Sequence, residues 1–346
     1  MRIGIDCRKI ADFGIGTYVR GLVRALAELR GDEEYVLFVP SRIDSPFEQV
    51  VVNAPHYSVR ELYVLGRAIR KAKLDLFHAP HFVLPWTSCP SIVTIHDAIL
   101  VHYPPPQPGG SLYYSMMMRR ALRKSVRVLT VSEAAKRDIV KAFPCDPSKI
   151  AVTPNGIDSI FSGAPASSPP PPGAGGGTPP AAAGGTPALR NRYFLYVGND
   201  KPHKNVGALI DAFRTIDGAQ LVLAGAEFPQ YREVPNVVTE GFVTIERLAE
   251  LYRGAVALVM PSLEEGFGLP VAEAMACGTP VIASDIDVFR EIAGDAALLT
   301  NDYASAMRRV MNDDALRNEL GERGRKRATQ FTWRRCAELT REAYRR

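Results

Sequence analysis

The chain has 346 residues, 46% of them hydrophobic, which is enough for two domains with well-buried cores and too much for one comfortable core. The formal net charge is +5, with the excess in residues 1–161 (21 Lys and Arg against 15 Asp and Glu). Such a balance suits an anionic partner, although a solvated basic face is its commoner cause. No run approaches the ~18 apolar residues of a membrane span. Met1 to Ile5 lead straight into a strand pattern rather than a signal-peptide core. The five cysteines lie far apart, at neither disulfide-framework nor metal-ligand spacing, so reduced thiols in a cytoplasmic protein are expected.

In chain order, the pattern opens with a strand over Arg2 to Asp6, an amphipathic helix over Thr17 to Leu29 and a strand over Tyr35 to Pro40. Strand-like runs recur at Leu74 to His78, Ser91 to Ile95 and Val126 to Val131; Ser132 followed by Glu133 marks a helix start, and Val152 to Asp158 reads as a turn. Residues 162–189 collapse to Pro, Gly, Ala, Ser and Thr, a composition that buries no core and is expected to be a disordered linker. Beyond it, strands at Tyr193 to Val197, Gln220 to Ala224, Val237 to Thr239, Ala255 to Met260 and Val281 to Ser284 alternate with helices at Val206 to Ile216, Ile245 to Arg253 and Pro270 to Ala276. Further helices cover much of Asn301 to Arg327 and the C-terminal Phe331 to Arg346. Strands alternating with helices of ~10 residues imply parallel sheets covered on both faces. The expected fold is α/β, two doubly wound domains over 1–161 and 190–330. In such sheets ligands bind beyond the carboxyl ends of the strands.

The most informative run follows the strand ending at Met260: Pro261-Ser262-Leu263-Glu264-Glu265-Gly266-Phe267-Gly268-Leu269-Pro270-Val271-Ala272-Glu273-Ala274-Met275-Ala276-Cys277-Gly278. Gly266 and Gly268 permit close backbone approach, and the N–H groups opening the helix from Gly266, Phe267, Gly268 and Leu269 favour an anion such as a diphosphate. Glu265 and Glu273 suit hydroxyl-rich ligands, because ionised carboxylates only accept hydrogen bonds. A second strand-to-glycine turn is Val197-Gly198-Asn199-Asp200-Lys201-Pro202-His203-Lys204, where a lysine can meet phosphate oxygens and stabilise a departing nucleoside diphosphate. Gly14 and Gly16 open a helix after the first strand, but Val19 occupies the third glycine position of a dinucleotide fingerprint. His96 and Asp97 end another strand. Asp285-Ile286-Asp287 has the look of a metal-binding pair, yet two acidic residues supply too few ligands, and no metal or other cofactor is expected.

These motifs resemble the retaining nucleotide-sugar glycosyltransferases of the GT-B type, family 4 (glycosyl transferases group 1), along essentially the whole chain outside the linker. The resemblance implies two Rossmann-like domains facing across a cleft, the N-terminal one (with helix 331–346 crossing back onto it) for the acceptor and the C-terminal one for the donor. Glu265 and Glu273 match the family's paired glutamates, which hold donor-sugar and ribose hydroxyls respectively. Lys204 resembles the donor-phosphate lysine, His96 a histidine approaching the donor sugar, and Gly14 with Gly16 the N-terminal glycine loop. Many relatives carry an arginine where this chain has Asn199 or His203, leaving Lys201 as a candidate second cation. The implied activity is transfer of a hexose, mannose being one candidate, from a nucleoside-diphosphate sugar to a hydroxyl of a glycan or lipid-linked acceptor in polysaccharide biosynthesis, independent of metal. The alternatives are an epimerase-like sugar-nucleotide enzyme and a noncatalytic sugar-nucleotide-binding protein. The basic stretch Ser111 to Lys124 reads either as a core-packed helix with a solvated end or as a peripheral contact with an anionic membrane. No nucleic-acid partner is expected, because the cations lack a recognition motif.

Overall fold

The computed structural model describes residues 1–29, 31–54, 58–163 and 192–345; the Pro/Gly/Ala-rich segment falls outside them from residue 164 onward. Two compact units emerge. The first contains Met1–Ile157, Glu264–Leu269 and Gln330–Arg346; the second contains Asp158–Leu263 and Pro270–Thr329.

In the first unit seven strands, β1 (Arg2–Asp6), β2 (Glu34–Val39), β3 (Glu48–Val51), β4 (Leu76–Ala79), β5 (Ser91–Thr94), β6 (Arg127–Thr130) and β7 (Ile150–Val152), form one parallel sheet in the order 3-2-1-4-5-6-7. The helices are α1 (Ile15–Glu28), α2 (Val59–Ala72), α3 (Gly110–Lys124) and α4 (Glu133–Ala142). Side chains alternate across each strand, so Tyr35, Leu37 and Val39 pack with Tyr18, Leu22 and Leu26 of α1, whereas Val36 and Phe38 pack with Leu65 and Ile69 of α2 and Met118 and Leu122 of α3. Ser58 and Ser132 start α2 and α4 by accepting from Glu61 N and Ala135 N, satisfying donors the helix itself leaves open. Arg8 is buried and donates to both oxygens of Asp6 (2.8 and 2.7 Å) and to Glu61 (2.7 Å), tying the end of β1 to α2.

The second unit begins with the single-turn α5 (Ser159–Ser162). The boundary therefore falls before Asp158, earlier than the residue 161 read from composition, because Phe161 packs edge-on against Tyr252 at 5.7 Å. Its parallel sheet runs 10-9-8-11-12-13, formed by β8 (Tyr193–Val197), β9 (Gln220–Ala224), β10 (Val237–Gly241), β11 (Ala257–Met260), β12 (Val281–Ala283) and β13 (Leu298–Leu299). Helices α6 (Val206–Phe213), α7 (Ile245–Gly254), α8 (Leu269–Cys277), α9 (Asp287–Ala293), α10 (Tyr303–Asn312) and α11 (Asp314–Ala328) accompany it. The last helix, α12 (Trp333–Arg345), belongs to the first unit. There Trp333, Cys336, Ala337 and Tyr344 are buried, a Cβ on Gly21 of α1 would overlap the Trp333 indole, and the Tyr344 hydroxyl lies 2.7 Å from His78 Nδ1.

Both sheets are doubly wound, and strand order reverses between β1 and β4 in one and between β8 and β11 in the other. The crevice beyond the carboxyl ends of strands at such a reversal is where this architecture binds ligands.

Candidate functional site

In the second unit, the turns following β8 and β11 lie on the two sides of the reversal. They are stitched together: Leu263 N donates to His203 O at 2.7 Å and Asn205 Nδ2 to Pro261 O at 3.3 Å. Lys204 ends a short 3-10 turn, Pro202–Lys204, and is half-buried, while Lys201 is exposed. Asn199 and His203, which stand beside Lys204 in place of a second cation, help to build the turn. Asn199 Oδ1 accepts from Lys201 N (3.2 Å), its carbonyl accepts from the Tyr196 hydroxyl (2.7 Å), and His203 is buried. Gly198 is required by packing at the end of β8: a Cβ there would stand 2.7 Å from the Tyr196 hydroxyl oxygen. Beside it Gly225 has φ +97, and a Cβ there would stand 3.1 Å from the Gly198 backbone N and O. Gly225 N in turn donates to Gly241 O at 2.8 Å, so glycines terminate β8, β9 and β10 in a row.

Glu273 is buried in α8 and accepts from the Tyr252 hydroxyl at 2.9 Å. Burial pushes its carboxyl up to about 7; the Tyr252 bond works against that shift, and the negative charge of Asp158 adds to it. A buried carboxylate with one strong donor keeps unused acceptor capacity in a place where ionisation is costly. Tyr252 and Asp158 were invisible as site residues in the sequence. Tyr252 sits at the end of an amphipathic helix, where nothing separates it from an ordinary core tyrosine. The glycines that follow β9 and end β10 did leave a signal in Ala224-Gly225 and Glu240-Gly241.

In the first unit, Gly14 (φ 62) precedes α1, whose start has no side-chain cap, and Gly16 lies within its first turn, where a Cβ would be 2.7 Å from the Ile10 carbonyl oxygen. His96 follows β5, edge-on to Tyr18 at 4.9 Å, with Nε2 3.0 Å from Pro80 O. Burial drives its pKa down to about 4, against the opposing effect of that carbonyl. Since a carbonyl only accepts, Nε2 carries the proton and Nδ1 is the acceptor. The turn Glu264–Leu269 is part of this unit. Ser132 Oγ donates to Gly266 O (2.6 Å), Phe267 packs edge-on to Phe331 (5.4 Å), and a Cβ on Gly266 would overlap the His96 carbonyl oxygen. Gly266 is thus required by packing. Glu265 and Leu269 are half-buried and Gly268 has φ 83. Asp97 Oδ1 accepts from Ile99 N (3.1 Å), an orienting contact within its own loop. Asp285 and Asp287 are both paired with Arg290, at 2.7 and 3.0 Å.

Two doubly wound sheets, each with a glycine turn at its point of reversal, are the architecture of the GT-B class of glycosyltransferases. Residues 14–160 match the family described as Glycosyltransferase Family 4, and residues 185–327 match Glycosyl transferases group 1. Between them the two matches span most of the chain, which is a GT-B glycosyltransferase of the family 4 type. Among curated relatives, O-antigen chain mannosyltransferase B of Escherichia coli is 28% identical over 96% of this chain and 95% of its own length. Among solved structures, sucrose-phosphate synthase from Thermosynechococcus elongatus aligns with a TM-score of 0.77 at 22% identity, over 100% of this chain and 98% of that one. Anabaena Alr3699/HepE, solved in complex with UDP-glucose, aligns with a TM-score of 0.74 at 15% identity, over 100% and 99%. Both share the fold.

Proposed function

We propose that the chain transfers a hexosyl residue from a nucleoside-diphosphate sugar to a hydroxyl of a glycan or lipid-linked acceptor, with retention of anomeric configuration. The observation that carries the donor reading is Glu273: a glutamate costly to ionise where it stands, held by Tyr252, on the helix that follows the glycine turn after β11. Ribose hydroxyls donating to it would stabilise the ionised form, which makes a poorly solvated carboxylate a selective partner for a diol. Lys204 supplies a point charge for the diphosphate, and the N–H groups opening α8 supply partial positive charge. Lys201 is a second cation within the same turn. Glu265 accepts from sugar hydroxyls, and neutral His96 offers Nδ1 as a further acceptor; it is not a general acid at neutral pH.

In the reaction the bond from the anomeric carbon to the diphosphate breaks with its electron pair on the phosphate oxygen. The acceptor oxygen bonds to that carbon from the same face and loses its proton to the departing phosphate. Catalysis of this kind rests on positioning and on stabilising the leaving diphosphate. Mannose is the first sugar to test, because the Escherichia coli relative is named for its transfer; UDP-glucose is the second, because a neighbour of the same fold binds it. The experiment is a thermal-shift screen of sugar nucleotides followed by product analysis on the best binder, with the product's anomeric configuration read by NMR. Transfer lost in Glu273→Ala and Lys204→Ala supports the reading. Binding and transfer intact in both overturn the site, and an inverted product overturns retention.

A further inference from the structure

At the amino-terminal edge of the first sheet, the end opposite the ligand-binding crevice, a cavity of about 420 Å³ opens between the end of α2, the segment before β5 and the end of α3. Arg70, Arg120, Lys124, Trp86 and Ser88 line it, and no acidic residue does. Arg120 is held in place by donating to Pro85 O at 3.0 Å, and the Trp86 backbone N–H donates to Leu62 O of α2 at 3.1 Å while the residue remains 50% exposed. The surface continues along both helices. On α2, Tyr63, Arg67 and Arg70 follow one another at helical spacing; on α3, Leu112, Met116, Arg120 and Arg123 do the same. Tyr63, Leu112 and Met116 are 54%, 74% and 53% exposed. The one acidic residue of α2, Glu61, is buried against Arg8, and α3 has none.

We propose that this face docks on an anionic lipid bilayer, with a lipid phosphate seated in the cavity among Arg70, Arg120 and Lys124, Trp86 at the headgroup level, and Leu112 and Met116 entering the acyl boundary. Charge complementarity selects a polyanionic partner, and the exposed aliphatic and aromatic side chains beside the cations select a bilayer over nucleic acid, which offers nothing apolar for Leu112 and Met116 to enter. Among the described residues no helix is long and apolar enough to cross a membrane, so the contact is with the surface. The inference is independent of the donor reading, and its assay involves no turnover.

The full chain is sedimented with vesicles of phosphatidylglycerol and phosphatidylcholine, and tryptophan quenching by brominated lipid is recorded. The chain has two tryptophans, and Trp333 is buried, so quenching reports Trp86. Binding to phosphatidylglycerol vesicles, little to pure phosphatidylcholine, and quenching absent in Trp86→Phe are expected. Neutralising two exposed cations with Arg70→Gln and Lys124→Gln lowers vesicle affinity about thirtyfold, at roughly 1 kcal/mol per cation. Leu112→Ser with Met116→Ser reduces quenching with the charges intact, and unchanged thermal midpoints confirm that the variants fold. Vesicle affinity indifferent to both pairs, absence of Trp86 quenching, or binding to inorganic pyrophosphate or to nucleic acid without binding to vesicles would each overturn the proposal.

Discussion

Replacing Glu273 with Gln should make the unliganded protein more stable and worse at binding donor. The carboxyl is held at about 7 against an ordinary 4.5. At 1.36 kcal/mol per pH unit, its ionised form costs the folded state about 3 kcal/mol. The sign follows from linkage: between 4.5 and 7 the folded chain binds the extra proton, so stability is highest below 4.5, falls as pH rises, and is lowest above 7. Gln mimics the protonated acid and removes this dependence. The expected gain is under about 1 kcal/mol at pH 5 and about 3 kcal/mol at pH 8. Native-state hydrogen exchange on peptides from β11 and α8, corrected for intrinsic exchange, reads it where it acts; tryptophan fluorescence does not, because both tryptophans are in the first unit. Donor affinity at pH 8 should fall about 10- to 100-fold, the worth of a hydrogen bond to a charged group. Equal stability of the two proteins at pH 8 would refute the strained-carboxylate argument.

Lys204→Ala should weaken donor binding by about 10- to 100-fold, with a smaller loss for the free sugar than for the nucleoside diphosphate, as calorimetric titration of each would show. Tyr252→Phe removes the bond that opposes the shift of Glu273, so the pH below which donor affinity falls should move upward from about 7 in a binding-pH profile. In the first unit, Gly21→Ala should gain helix propensity yet lose about 1–3 kcal/mol in urea unfolding followed by Trp333 fluorescence, because the added methyl meets the indole. Arg8→Met leaves Asp6 and Glu61 buried without their cation and should cost about 3–5 kcal/mol in the same measurement.

Much of the architecture was legible because strands buried on both faces announce themselves as unbroken apolar runs, as in Tyr193 to Val197 and Ala257 to Met260. β3 escaped, since Glu48-Gln49-Val50-Val51 is an edge strand with no strongly apolar run. β7 also escaped: it has three residues, of which only Ile150 is fully buried, and its last, Val152, was read as the start of a turn. Within the candidate site, local turns such as Gly198 to Lys204 and Glu265 to Glu273 were readable, being strand-glycine-helix passages with charge at fixed positions. The partners that set their electrostatics were not. Tyr252 reaches Glu273 from another helix, and Asp158 acts from a segment that composition had placed in the other domain. The packing of Gly266 on His96 likewise joins positions 170 residues apart, a pairing no local pattern encodes.

The most direct test is calorimetric titration of the preferred nucleoside-diphosphate sugar at pH 7 in two buffers of different ionisation enthalpy, on the wild type and on Glu273→Gln. If donor hydroxyls bind the ionised carboxylate, wild-type binding releases about half a proton at that pH and the variant releases none. Binding that releases no proton, or the same number in both proteins, would contradict the placement of the donor on Glu273.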